Sequence, residues 1–161
     1  DEAWLSEVKP SHPGLWDRRL VISEEERRAL ATLQDRYNRR GRLTVNYLGH
    51  FEGREHFGCN AGCKMVYIDA FGEVSPCVFT PMTFGNIRDR SLKEIFTAMK
   101  SHFPSGDLCF INRNFPLIRD AAGSRGFLDP AASLRVTDKA EFGKLSGFFR
   151  LYLRGSKGGR K

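Results

Sequence analysis

Apolar positions along this chain switch between a helical and an extended period, and the switches divide it into elements. Between Ser23 and Gly41, Leu30, Leu33 and Tyr37 recur at helical spacing. Ser23 and Glu26 form a capping box, Glu24, Glu25 and Glu26 fill the first turn, Arg36, Arg39 and Arg40 the last, and Gly41 closes the segment. The spacing predicts a helix whose apolar stripe belongs to a core. Before it, Trp4, Leu5 and Val8 predict a short strand ended by Pro10; after it, Leu43 to Leu48 is β-branched and aromatic enough for a second strand. Strand, helix, strand over residues 1–50 reads as a βαβ unit, the way an α/β barrel ends.

From Met65 to Asp69 the pattern alternates, turns at Ala70, Phe71 and Gly72, and returns through Glu73 and Val74 as a β-hairpin. Gly72 is expected to supply a positive φ, and Pro76 to end strand pairing. A second capping box, Ser91 with Glu94, opens a helix carrying Leu92, Ile95, Phe96 and Met99 on one face and stopping at Phe103-Pro104. Beyond Leu117 the signals weaken. Ala121 to Gly126 reads as a flexible loop and Asp129-Pro130 as the start of a short helix. Phe142 to Leu153 reads as a terminal helix with Phe148, Phe149 and Tyr152 on its docking face. The fold class is α+β in three parts: a barrel-end β-α-β fragment (1–50), a small domain with a hairpin and a helix (51–116), and a C-terminal helical extension with a basic tail (117–161).

Charge changes this picture only at the end of the chain. The formal charge is +7, but five of the basic residues, Arg150, Arg154, Lys157, Arg160 and Lys161, lie in an acid-free tail, and the remainder carries +2. A solvated tail explains this better than a nucleic-acid groove, so nucleic acid is not an expected partner. No apolar run reaches the length of a membrane span, and no signal-peptide pattern is present, so a cytoplasmic location is expected. The chain begins with Asp1, which suggests a truncated or processed piece. Paired-carboxylate, Ser/His/Asp and phosphate-loop motifs are absent, as are internal repeats. His12 sits in a loop with no local partner and reads as solvated.

The chemistry concentrates in four cysteines: Cys59 and Cys63 with three residues between them, Cys77 after thirteen intervening residues, and Cys109 after thirty-one more. Disulfides lack support, because four cysteines in 161 residues fall below the density of a disulfide scaffold. Zinc fits less well than iron–sulfur: it usually takes two tight C-x2-C knuckles, and here there is one C-x3-C pair and two isolated cysteines. A 4Fe-4S cluster takes four thiolates from scattered loops, because the cubane presents four separate iron corners. The hairpin brings Cys77 back beside Cys59 and Cys63, and the turn at Pro104, Ser105, Gly106 and Asp107 delivers Cys109. Phe71, Phe79, Phe84, Phe96, Phe103 and Phe110 are expected to cover the thiols. His50 and His56 precede Cys59 closely but are expected outside the ligand set.

The spacing C-x12-G-x4-C over Cys59, Gly72 and Cys77, followed by FGNIRDRSLKEIF at residues 84–96, resembles the SPASM and Twitch domains that follow the barrel of radical S-adenosylmethionine enzymes and hold auxiliary 4Fe-4S clusters. The resemblance covers residues 58–112 closely and the flanks loosely. It implies that Cys59, Cys63, Cys77 and Cys109 ligate one cluster. No cysteine follows Cys109, which favours the shorter, single-cluster Twitch-like form. Cys59-x3-Cys63-x2 also reads like the opening of the motif holding the cluster that reduces S-adenosylmethionine, but the third position is Val66, which cannot ligate iron. S-adenosylmethionine would therefore act only through a barrel in the parent chain, with a peptide or small molecule as substrate. A late barrel strand and the loop bearing His12, where substrate contacts occur in that family, would correspond to residues 1–20. The function implied is an auxiliary cluster-binding region supporting electron transfer or substrate engagement; the alternative is a zinc-stabilised interaction module without redox role.

Overall fold

The computed structural model describes residues 1–41, 43–54, 56–104 and 106–151. Its first unit is β1 (Glu2–Leu5), α1 (Glu24–Arg40) and β2 (Thr44–Tyr47), with β1 and β2 paired in parallel from Glu2 opposite Thr44 to Leu5 opposite Tyr47. The expected βαβ order is present. Parallel neighbours need a crossover, and α1 supplies it. The capping box forms as expected: Glu26 N–H donates to Ser23 Oγ at 3.2 Å and Ser23 N–H to Glu26 Oε2 at 2.6 Å, while Gly41 ends the helix with φ 67°.

The face of α1 behaves differently from its pattern. Leu30, Leu33 and Tyr37 are half-buried, and the one buried residue of the helix is Gln34. The reason lies on the outer edge of β2. Tyr47 N–H donates to Gln34 Oε1 at 2.7 Å, and Asn38 closes both backbone groups of Val45, accepting from its N–H at 2.7 Å and donating to its carbonyl at 3.0 Å. Helix amides occupy the hydrogen bonds that a further strand would make, so this edge of the two-stranded sheet is covered.

A four-residue helix, α2 (Leu48–Phe51), leads out of β2. The hairpin follows as β3 (Tyr67–Ile68) antiparallel to β4 (Val74–Ser75), and Gly72 at its turn has φ 88°, as its position requires. Strand pairing stops at Ser75, before Pro76. α3 (Leu92–Lys100) starts at the expected Ser91–Glu94 capping box and buries Ile95 and Met99.

Two departures follow. Residues 110–122 form α4 (Phe110–Ala122), so the loop expected from Ala121 is helix up to Ala122, continued by a 3-10 turn at Gly123–Arg125. Phe110, Ile111, Phe115, Ile118 and Ala122 bury its inner face despite Pro116; tertiary packing outweighs the helix-breaking tendency of one proline. The terminal helix begins at residue 147 and not at Phe142, and the helix assignment is described to residue 151; Tyr152 and most of the basic tail lie outside the described residues. Asp129 caps α5 (Pro130–Thr137), accepting from Ala132 N–H at 2.8 Å, as expected.

The core gathers Val74, Met82, Ile95, Met99, Phe103 and Phe115 with their neighbours from the hairpin through α5, and the four cysteines lie in or against it. The fold is mixed α and β with two small sheets. Among the described residues, no helix is long and apolar enough to cross a membrane.

Replacing Gln34 by Leu preserves most of the side-chain volume but leaves the buried Tyr47 N–H without an acceptor. Urea unfolding should report a loss of about 1–3 kcal/mol. An unchanged midpoint would show that the helix amide does not hold the edge of β2.

Candidate metal centre

The four cysteines reach one region by different routes. Cys59 is fixed by an antiparallel bridge to Gly106, with Cys59 N–H donating to Gly106 O at 2.8 Å. Gly62 N–H then donates to Pro76 O at 3.0 Å and to Met65 O at 3.0 Å, which ties the Cys59–Cys63 loop to the strand leading into Cys77. Gly62 has φ 67°, and a Cβ there would stand 2.4 Å from the Phe103 ring, so only glycine fits between the thiol loop and the core. Cys77 follows β4, and Cys109 is the N-cap of α4.

All four thiols are free. Backbone donors are aimed at two of them. Phe110 N–H, the first of α4, donates to Cys59 Sγ at 3.4 Å, Ala61 N–H adds a second hydrogen bond to Cys59, and Phe79 N–H bonds Cys77. The Lys9 ammonium lies 3.5 Å from Cys109 Sγ. Cys109 also occupies the N-terminus of a 13-residue helix. Burial pushes the Cys59 thiol up to about 12, the charge of a Cys109 thiolate adds to the rise, and the Phe110 and Ala61 amides oppose it. Cys77 is raised by burial, opposed by the Phe79 amide and raised further by Cys109. Cys59 and Cys77 thus both respond to charge at Cys109. Cys63 is buried in the core and donates its S–H to Asn60 O at 3.5 Å. Among the described residues, no three Cys, His, Asp or Glu side chains are grouped as a single metal ion needs.

The expected phenylalanine cover holds in part. Phe84, Phe103 and Phe110 are buried, with the Phe103 ring edge-to-face with Phe84 at a centroid distance of 5.5 Å and tilted against Phe110 at 4.9 Å, and Phe96 is half-buried. Phe71 is 73% exposed, because it sits at the tip of the hairpin, and Phe79 is exposed too. Neither covers the thiols. His50 and His56 pair with each other, Nε2 to Nε2 at 2.7 Å, on the wall of a cavity of about 510 Å³ that Arg27, Tyr47 and Asp107 also border. His12 is exposed, as expected, but it has a local partner: it is an N-cap whose Nδ1 accepts from Gly14 N–H at 3.2 Å.

Beside Cys109 lies a group of charges that the sequence pattern did not reveal. The Glu7 side chain, 2% exposed, accepts from Arg27 at 2.6 Å, Tyr47 Oη at 2.6 Å, Asn112 Nδ2 at 3.0 Å and Lys9 at 3.4 Å. Lys9 also reaches Glu52 at 2.9 Å. These partners come from residues up to 105 apart in sequence, so no local motif announces them. Burial pushes the Glu7 carboxyl up, but Lys9, the Tyr47 hydroxyl and Arg27 together outweigh it and hold the group below the usual carboxylate range.

The sign of this shift fixes a pH dependence. With the folded value depressed, the unfolded chain binds the proton more readily, so the stabilisation is complete above the ordinary glutamate range and is lost as pH falls through the folded value. Glu7→Gln should lose about 3–5 kcal/mol at neutral pH, the order found when one partner of a buried ion pair is removed. Between pH 5 and 3 its urea midpoint should fall less steeply than that of the wild type. Parallel pH curves would contradict the role assigned to Glu7.

Comparison with known proteins bears on the segment that carries the thiols. Neither the curated proteins nor the solved structures gave a match. A protein-family model does match: SPASM, an iron-sulfur cluster-binding domain, over residues 59–115. That range contains Cys59, Cys63, Cys77 and Cys109, and SPASM domains occur with radical S-adenosylmethionine domains. Residues 59–115 of this chain thus match the SPASM iron-sulfur cluster-binding domain family.

Proposed function

We propose that Cys59, Cys63, Cys77 and Cys109 hold a single 4Fe-4S cluster, as the auxiliary centre of a radical S-adenosylmethionine enzyme, in residues 51–116. Residues 1–50 are then the last piece of that enzyme's barrel and residues 117–161 a helical extension. The observation that carries this reading is the donor set. Amide N–H groups from Phe110, Ala61 and Phe79 and the Lys9 ammonium meet the sulfurs of Cys59, Cys77 and Cys109, an arrangement suited to thiolates that share charge with iron. The barrel-end reading draws support from the β1–α1–β2 unit. The outer edge of β2 is closed by Gln34 and Asn38, so further strands would add beside β1.

Bound there, a cluster supplies electron transfer to or from the barrel chemistry, or structural support. With four cysteines available to occupy the four irons, direct ligation of a substrate is not needed. The chain's own residues exclude water through Phe84, Phe103 and Phe110 and hold the sulfurs in place. Because Cys59 and Cys77 are held as thiols by burial, loading displaces protons from them and couples to folding. The substrate class proposed with this reading is a peptide or a natural-product precursor.

Anaerobic reconstitution of the full chain should load about four irons and four sulfides and turn the protein brown. A colourless protein holding one zinc would favour the interaction-module reading instead. Cys77→Ala should abolish loading. Cys109→Ala should leave three thiolates and convert to a 3Fe-4S signal in electron paramagnetic resonance on mild oxidation. An oxidation-resistant four-iron cluster in Cys109→Ala would remove Cys109 from the ligand set. With Val66 at the third position of the near-motif, this chain alone should yield no 5′-deoxyadenosine from S-adenosylmethionine under reducing conditions.

A further inference from the structure

Lys9 is a residue that neither the family match nor the cysteine spacing picks out, since it lies fifty residues before the matched segment begins. Yet it is buried, at 8% exposure. Its ammonium carries three N–H donors, and three acceptors surround it: Glu52 Oε2 at 2.9 Å, Glu7 Oε2 at 3.4 Å and Cys109 Sγ at 3.5 Å. A lysine whose only task was to pin the N-terminal segment would need the two carboxylates alone. The third acceptor is a sulfur one hundred residues away in sequence.

The two carboxylates are not equivalent. Glu7 is shared with Arg27, Tyr47 and Asn112, and so is neutralised from several sides. Glu52 is 45% exposed and has Lys9 as its ion-pair partner among the described residues. The positive charge in contact with the Cys109 sulfur is therefore that of Lys9, offset by Glu52. Arg27 also interacts with charge at Cys109, but its ion pairs are with Glu7 and Glu24.

We propose, resting on the cluster reading above, that Lys9 is a positioning and charge-setting residue for the iron–sulfur centre, donating to the Cys109 thiolate and raising the centre's reduction potential, with Glu52 as the counterweight. Adding one electron increases the negative charge on the thiolate-bound iron. A buried cation in contact with one sulfur stabilises the reduced form more than the oxidised form, and hydrogen bonds and net charge near the sulfurs are known controls of cluster potential.

The test uses the full chain, reconstituted anaerobically and titrated with dithionite as the one-electron donor while electron paramagnetic resonance follows the reduced signal. Lys9→Met should lower the midpoint potential, shifting the reduction equilibrium about tenfold towards the oxidised form, or about 59 mV for one electron. Glu52→Gln should shift it the other way, and because Glu52 is half in solvent this variant should fold and load iron like the wild type. Opposite shifts at unchanged iron content support the proposal, since a purely structural pin would alter loading or stability without moving the potential in opposite directions. If both variants load fully and match the wild-type potential, the proposal is overturned. If Lys9→Met does not fold, Glu52→Gln decides: an unchanged or lowered potential there overturns it. Failure of the wild type itself to load iron would overturn the cluster reading, and this inference with it.

Discussion

The burial of one carboxylate, that of Glu7, constrains the way the N-terminal unit meets the cysteine segment. A charged group at 2% exposure is tolerable only if its lone pairs are met and its charge opposed. Here the partners are drawn from four places: Lys9 after β1, Arg27 in α1, Tyr47 at the end of β2 and Asn112 in the first turn of α4. Satisfying Glu7 thus fixes α1 and β2 against β1 and docks the start of α4 onto all three. Cys109 is the cap of α4, so the same requirement holds the last cysteine at the junction and sets Lys9 beside it.

The other three thiols depend on backbone contacts and not on charge. The Cys59–Gly106 bridge joins the first cysteine to the approach of the last, and the Gly62–Pro76 hydrogen bond joins the second to the third. Phe103 fills the space beneath, where Gly62 leaves room for its ring. A small segment with two-residue strands has few hydrogen bonds to spare, and an inorganic core that binds four side chains would supply the cross-links it otherwise lacks.

Features set by neighbouring residues were legible in the sequence. The two capping boxes at Ser23 and Ser91, the positive φ of Gly72, the hairpin, the βαβ order and the Asp129 cap all follow from short windows, and each is present. The cysteine spacing was legible in the same way, and the family match covers it. Misreadings arose where packing between distant segments decides. The stretch from Ala121 read as a loop, although α4 runs to Ala122, because Ile111, Phe115, Ile118 and Ala122 recur at helical spacing and bury its inner face. Leu30, Leu33 and Tyr37 looked like a core stripe, whereas Gln34 is the residue α1 buries, because the edge of β2 needs an acceptor. Lys9 carried no signal at all, since a lone lysine before a proline looks like any surface residue until Glu7, Glu52 and Cys109 are brought around it.

The central claim is that four sulfurs of this chain surround one iron–sulfur cubane. Iron K-edge X-ray absorption on the anaerobically loaded full chain addresses it most directly. The account predicts a first shell of sulfur alone and a second shell of iron at short range, the signature of a cubane ligated only by cysteine. A first shell with nitrogen or oxygen and no iron neighbour would contradict it.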